Sequence, residues 1–200
     1  QALYRIYTAR LDVESLDLYL SLQYIPAPKT IYTTISKLPP GHFLVAVAGR
    51  VTRIERYWSV SPEPKLRDRR EAGEILRQKM LDAVKIRMIA DVPLGAFLSG
   101  GIDSTITVGL MTRCSDQPVK TFSIGFEESD YSELHHAREV ARFHSTDHRE
   151  FIVRPNAIEL LPTLVKHYGE PYADSSAIPT YYLCRETRKH VTVALSGDGG

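Results

Sequence analysis

The most informative segment of the sequence is Leu94-Gly95-Ala96-Phe97-Leu98-Ser99-Gly100-Gly101-Ile102-Asp103-Ser104. Its first five residues form a short apolar run, which is typical of a strand buried on both faces. Two adjacent glycines follow, and a helix is predicted from there through Met111. Backbone N–H groups and the positive end of a helix converge at such a turn, so it favours a bound anion. A simple strand-to-helix turn is the alternative interpretation.

Strand-like and helix-like segments alternate on both sides of this loop. Predicted strands cover residues 94–98, 119–124, 149–153 and 191–195, and predicted helices follow Asp68, cover residues 132–143 and 177–190, and run from Asn156 to Gly169. This alternation predicts an α/β fold with a doubly wound parallel sheet that helices cover on both faces. Ligands of such sheets lie beyond the carboxyl ends of the strands.

The first sixty residues have a different pattern. A helix is predicted over residues 13–22, and two strands are predicted over residues 43–47 and 51–58, on either side of a turn. Prolines at Pro62 and Pro64 disfavour both helix and strand pairing. We therefore predict the end of a β-containing domain over residues 1–60, a linker over 61–68 and the α/β domain over 69–200. Since Met is absent at position 1, we expect the chain to begin within a longer protein.

A second glycine-rich loop, Ser196-Gly197-Asp198-Gly199-Gly200, also follows a predicted buried strand. The carboxyl ends of parallel strands share one edge of a sheet, so a nucleotide could lie between the two loops. Hydroxyl groups of Ser99 and Ser104 can donate to phosphate oxygens, and Asp103 is a candidate Mg²⁺ ligand. Asp198 is either a site residue or a helix cap. The sequence contains no Walker-type loop and no dinucleotide-binding glycine motif.

The first loop resembles the SGG-x-DS pyrophosphate loop of the ATP pyrophosphatase superfamily, which includes GMP, NAD, argininosuccinate and asparagine synthetases. Four other segments narrow this resemblance to the asparagine synthetases that use glutamine. They are Leu38-Pro39-Pro40-Gly41-His42 with Tyr57-Trp58, Phe122-Ser123-Ile124-Gly125-Phe126, residues 170–180, and Ala194-Leu195 with the second loop. The resemblance extends over the whole chain in order, and it implies an adenine nucleotide α-hydrolase-like fold preceded by the tail of an N-terminal-nucleophile glutaminase domain.

The resemblance also implies residue roles. Phe97 and Ile124 would lie beside the adenine, and Asp198 would lie near the substrate or intermediate. The remaining implied contacts are Ser99, Gly100, Gly101 and Ser104 to the pyrophosphate, Asp103 to Mg²⁺, and Ser196 and Gly197 to the ribose or α-phosphate. The implied reaction consumes ATP: the aspartate β-carboxylate attacks the α-phosphorus, pyrophosphate leaves, and glutamine-derived ammonia attacks the β-aspartyl adenylate.

Three residues of the family pattern are absent. They are the N-terminal catalytic cysteine, an aspartate expected after Gly200 and a lysine expected further downstream. We therefore expect this fragment to be inactive alone. A synthetase that adenylates another carboxylate, such as a β-lactam-forming enzyme, and a non-catalytic nucleotide-binding module are the alternatives. A tRNA-modifying member of the superfamily is disfavoured, because the net charge is only +1.

Composition adds a few expectations about the environment of the protein. The balance of 25 basic and 24 acidic residues gives no reason to expect a nucleic-acid or membrane partner. We expect a cytoplasmic protein, with a homodimer as one allowed assembly and with Cys114 and Cys184 as buried, reduced thiols. His144 and His148 are interpreted as solvated surface residues. Asp174, Ser175 and Ser176 either contact the substrate or cap the helix that follows.

Overall fold

A computed structural model describes residues 10–60, 68–126 and 134–198, which form two compact units. The first unit comprises Gln1–Pro64 and Ala157–Ser175, and the second comprises Lys65–Asn156 and Ser176–Gly200. Most of the predicted linker, the start of the helix predicted from residue 132, and Gly199 and Gly200 of the second loop lie outside the described residues. No described helix has the length and apolar character needed to cross a membrane.

Within its described residues, the first unit contains two helices and one hairpin. Helix α1 spans Val13–Leu22, and strands β1 (His42–Val47) and β2 (Arg50–Arg56) pair antiparallel across a tight turn. These elements confirm the helix and the two strands predicted from the sequence. Helix α5, Ala157–Tyr168, also belongs to this unit, and Gly169 follows it with a φ of +72°.

The second unit is built on a parallel sheet of four described strands in the order β5-β4-β3-β6. These strands are β3 (Leu94–Phe97), β4 (Lys120–Phe126), β5 (Asp147–Val153) and β6 (Val193–Leu195). The chain steps outward from β3 to β5 and then returns to the other side of β3. Since parallel crossovers are right-handed, the outward and return connections cover opposite faces. The predicted parallel α/β fold is confirmed.

Four helices accompany this sheet in the second unit. They are α2 (Arg69–Arg87), α3 (Ile102–Arg113), α4 (Leu134–Phe143) and α6 (Ala177–Thr187). Helix α2 begins directly after Asp68, as predicted, and the Asp68 carboxylate caps it by accepting hydrogen bonds from the N–H groups of Arg70 and Glu71. Helix α6 ends at Thr187, three residues earlier than predicted.

The core of the second unit lies between the sheet and the helices α2, α3 and α4. Its buried members are Val84, Ala96, Leu98, Val108, Met111, Val119, Ala137 and Ala141. The predicted burial of both cysteines is wrong: Cys114 is half-buried and Cys184 is exposed on α6. A helix that packs on one face leaves its other face in solvent, and Cys184 lies on that outer face although Tyr181, Tyr182 and Leu183 directly precede it.

Candidate nucleotide site

The candidate site lies at the carboxyl edge of the parallel sheet. Strands β3 and β6 are neighbours, and Ala96 is in register with Leu195. The two glycine-rich loops leave the sheet directly after these strands, so they emerge side by side. The structure therefore confirms the prediction that both loops lie at one edge of the sheet.

Hydrogen bonds within the first loop hold it in shape. The Gly101 N–H donates to Ser99 Oγ at 3.2 Å, and the Ser104 hydroxyl donates to the Gly101 carbonyl at 3.1 Å. The Ser99 and Ser104 hydroxyl oxygens are 3.0 Å apart. Both hydroxyls are therefore engaged with the loop itself. Gly101 is the N-cap of α3 and offers no side chain as a cap, so the first N–H groups of α3 have no intrahelical partner.

The second loop touches the first at Gly197. A β-carbon built on Gly197 would lie 2.7 Å from the Ser104 nitrogen and 2.8 Å from the Asp103 carbonyl carbon. Real side-chain atoms do not approach backbone so closely, so a glycine is required for the two loops to meet in this way. In the second loop itself, the Asp198 N–H donates to Ser196 Oγ at 3.2 Å.

A pocket of about 500 Å³ opens between the two loops, strand β4 and helices α4 and α6. This volume is within the usual range for small-molecule sites. Of the ten residues predicted from the sequence, nine line it: Phe97, Ser99, Gly101, Asp103, Ser104, Ile124, Ser196, Gly197 and Asp198. The structure thus brings together residues separated by about a hundred positions in the chain.

Gly100, the tenth predicted residue, is turned toward α4 instead. Its φ is +86°, a conformation that favours glycine, and a β-carbon there would lie 2.5 Å from His136 Cβ and 2.6 Å from the Ala137 nitrogen. The backbone of the loop therefore rests directly on the first turn of α4.

Polar and apolar walls of the pocket differ in character. Phe97 and Ile124 are both half-buried and provide an apolar surface at the ends of β3 and β4. Between them, the Ser123 hydroxyl donates a short hydrogen bond to the carbonyl of Leu98, which leads into the first loop. Asp103 and Asp198 are the two carboxylates of the lining, and both are exposed to solvent.

Sequence reasoning missed several lining residues. Helix α4 contributes Leu134 and Ala137, α6 contributes Pro179, Thr180 and Leu183, and Leu98, Ser123 and Ala194 come from the strand ends. Ser176, which was expected either to contact the substrate or to cap α6, also lines the pocket. A usable signal existed for α6, because Ser176, Thr180 and Leu183 recur at helical spacing on one face. Ser176 is the N-cap residue of α6, and its side chain makes no cap hydrogen bond.

The residues present fit a magnesium ion bound together with phosphates. Two carboxylates, Asp103 and Asp198, border the same pocket as two serine hydroxyls. Mg²⁺ commonly takes one or two protein carboxylates and completes its shell with phosphate oxygens and water. Among the described residues, the one group of three or more metal-ligating side chains is elsewhere, on the exposed surface of α4 at His135, His136 and Glu139.

His148 is not a solvated surface residue, so that prediction is wrong. Its side chain is only 11% exposed, and its Nδ1 lies 2.9 Å from the hydroxyl of Thr121 on the neighbouring strand. The two residues are in register across β4 and β5, so strand pairing holds the ring inside the unit. His144 is half-buried, with its ring packed against Gly109 of α3.

Comparison with known proteins identifies two matching family models. The model described as asparagine synthase matches residues 75–200, and the model described as glutamine amidotransferase domain matches residues 1–58. The two matches are consecutive and together cover most of the chain.

Individual relatives agree with these models. The chain is 36% identical to asparagine synthetase [glutamine-hydrolyzing] 1 of Bacillus subtilis over 191 residues, which are 94% of this chain and 30% of that protein. It is 38% identical to putative asparagine synthetase [glutamine-hydrolyzing] 2 of Methanocaldococcus jannaschii, over 95% of this chain and 37% of that protein. The chain thus spans about a third of the length of these relatives.

One solved structure with a similar arrangement is an NMN synthetase from Francisella tularensis. The superposition covers 60% of this chain and 52% of the NMN synthetase chain, with 14% sequence identity and a TM-score of 0.41. At this level of similarity it adds nothing to the fold described above.

Proposed function

Because this chain belongs to the asparagine synthase family, we propose that it carries the ATP site of a glutamine-dependent asparagine synthetase. The observation that supports the proposal best is the contact between the two loops, where Gly197 closes on the first turn of α3. This contact creates one pocket that combines a helix N-terminus, serine hydroxyls and two carboxylates. The longer protein would be a ligase that forms a C–N bond.

In this proposal the triphosphate lies along the first loop. The N–H groups at the start of α3 face the phosphate oxygens and stabilise their negative charge. Ser99 and Ser104 act by keeping the loop in shape, since their hydroxyls already bond within it. The adenine packs against the apolar surface of Phe97 and Ile124, and Ser196 and Gly197 border the ribose and the α-phosphate.

The reaction then takes place next to the second loop. The β-carboxylate of aspartate attacks the α-phosphorus, and the bond to pyrophosphate breaks. Ammonia from glutamine attacks the resulting β-aspartyl adenylate, and AMP leaves. This chain contributes by orienting ATP and by placing Asp198 beside the acceptor, where the carboxylate attracts the α-ammonium group of aspartate. Mg²⁺, held by Asp103, would supply charge neutralisation on the departing pyrophosphate.

The domain arrangement follows the same proposal. Residues 1–60 would be the end of the glutaminase domain, 61–68 a linker and 69–200 the synthetase domain, and the two family matches support this division. We further propose a cytoplasmic enzyme that acts on small molecules. A homodimer is one assembly compatible with this proposal, and sedimentation of the full-length protein tests it.

Exchange of labelled pyrophosphate into ATP by the full-length protein, with Mg²⁺ and with or without aspartate, tests this function. Exchange that depends on aspartate is the expected result. If exchange depends on another carboxylic acid and does not occur with aspartate, that acid is the acceptor. This result would favour a β-lactam-forming type of synthetase. A folded protein that shows no exchange with any acid would contradict the enzyme assignment and favour a nucleotide-binding module.

A further inference from the structure

The first turn of α4 supports the phosphate loop from outside the pocket. Gly100 packs against the backbone of this turn, with an expected β-carbon position 2.5 Å from His136 Cβ. Leu134 and Ala137 of the same turn line the pocket and are buried. Any shift of α4 relative to the sheet would therefore move both the loop and one wall of the pocket.

A bidentate ion pair connects this turn to the sheet. Arg138 Nε donates to Glu150 Oε1 at 2.9 Å, and Arg138 Nη2 donates to Glu150 Oε2 at 2.6 Å. Glu150 lies on β5 in register with Ser123 of β4, the residue that donates to the Leu98 carbonyl. The pair therefore links α4 to the level of the sheet at which the pocket is built. Parallel hydrogen bonds of this kind fix direction as well as distance.

The ring of His148 lies beside this ion pair, and its pKa depends on both charges. Its Nε2 is 3.5 Å from Glu150 Oε1, and its other ring nitrogen contacts Thr121. Burial lowers the pKa of His148, the Glu150 carboxylate acts to raise it, and the Arg138 guanidinium acts to lower it further. The Arg138 guanidinium, in turn, holds the pKa of Glu150 below its usual value. The ring is thus a built-in probe for the presence of both charges.

We propose that Arg138 and Glu150 are positioning residues for ATP, because their ion pair sets the place of the first α4 turn and thereby of the loop at Gly100. This inference rests on the proposed function, since it takes the loop as the site of the triphosphate. Neither side chain lines the nucleotide pocket, so both act through α4. The apolar side of α4, with Leu134, Ala137 and Ala141 buried, keeps the helix attached when the pair is removed.

Three variants of the full-length protein test the proposal: Arg138→Met, Glu150→Gln and the double variant. A matched control is Arg142→Met, which removes an exposed arginine one turn later on the same helix. We expect the KM for ATP in the exchange reaction to rise about fivefold in each single variant, because a partly exposed ion pair makes a modest contribution. The KM for aspartate and the melting temperature should change little, and the control should match the wild type. The double variant should be no worse than either single variant, because the two side chains act as one unit.

A histidine titration by NMR gives a second readout that a general loss of stability would not produce. Arg138→Met should raise the pKa of His148 and Glu150→Gln should lower it, while Arg142→Met should leave it unchanged. Wild-type-like KM values for ATP in both single variants, together with the expected titration shifts, would overturn the proposal. A rise in the KM for ATP that the control shares would also overturn it. Absence of exchange in the wild type would instead refute the proposed function; in that case the dissociation constant of MgATP, compared across the same variants, decides the inference.

Discussion

The contact at Gly197 allows a quantitative prediction for the substitution Gly197→Ala. The added methyl group would lie 2.7 Å from the Ser104 nitrogen, whereas ordinary contacts begin near 3.4 Å. The two loops must therefore separate by about 0.7 Å, and the atoms in the way are backbone and cannot rotate aside. Displacements near 1 Å in a reacting site cost on the order of 10²-fold. We expect kcat/KM for ATP to fall by about 10- to 100-fold and stability to fall by about 1–3 kcal/mol from overpacking.

The assay is pyrophosphate exchange by the full-length protein, combined with a thermal melt of each variant. Gly73→Ala is the matched control, because a β-carbon at Gly73 of α2 meets nothing closer than 3.9 Å. That change should stabilise the protein by up to about 1 kcal/mol and leave exchange unaltered. Exchange by Gly197→Ala within twofold of the wild type would refute the steric argument, and with it the view that close approach of the loops forms the ATP site.

Three further predictions concern stability. Asp68→Ala should lower the unfolding free energy by about 1 kcal/mol in chemical denaturation, because α2 loses the carboxylate that caps two N–H groups. Burial holds the pKa of His148 below its ordinary value of 6.5, so the unfolded chain takes up the proton first and stability should decline as pH falls below about 6.5. Urea titrations on either side of that pH should show a weaker decline in His148→Gln, and equal declines would refute this linkage. Gly41→Ala should destabilise the hairpin more than Gly49→Ala does, because both have positive φ but only Gly41 would clash, at 2.4 Å from the Trp58 carbonyl oxygen. Equal losses in thermal melts of the two variants would show that φ alone matters.

Much of the fold could be predicted because its signals are local. A buried apolar run such as residues 94–98, followed by glycines, predicts a strand and a turn from neighbouring residues alone. The placement of the two loops at one edge then followed from a general rule, that parallel strands end at a shared edge. Their direct contact depends in addition on the pairing of β3 with β6, which the sequence did not predict.

The predictions that proved wrong concern contacts made across the sheet or around a helix. His148 looks like a surface residue beside Asp147 and Arg149, yet its partner Thr121 is 27 positions away and is fully buried. Cys184 directly follows Tyr181, Tyr182 and Leu183 in sequence but is exposed on α6. In both cases burial depends on tertiary packing, which a pattern of neighbouring residues does not contain.

The loop serines have a structural role that the sequence did not predict, whereas their expected contact with phosphate stays a prediction. Ser99 and Ser104 were expected to donate to phosphate, but in the structure they bond to each other and to the backbone of Gly101. A loop that is held in shape before the nucleotide arrives loses less conformational freedom on binding, which favours affinity. The glycines complete this division of roles: Gly100 supplies a positive φ and contacts α4, whereas Gly197 supplies only the absence of a side chain. Under the proposed function, backbone N–H groups then make the main contacts to the phosphates, and the residue types in the motif are needed because they place those groups.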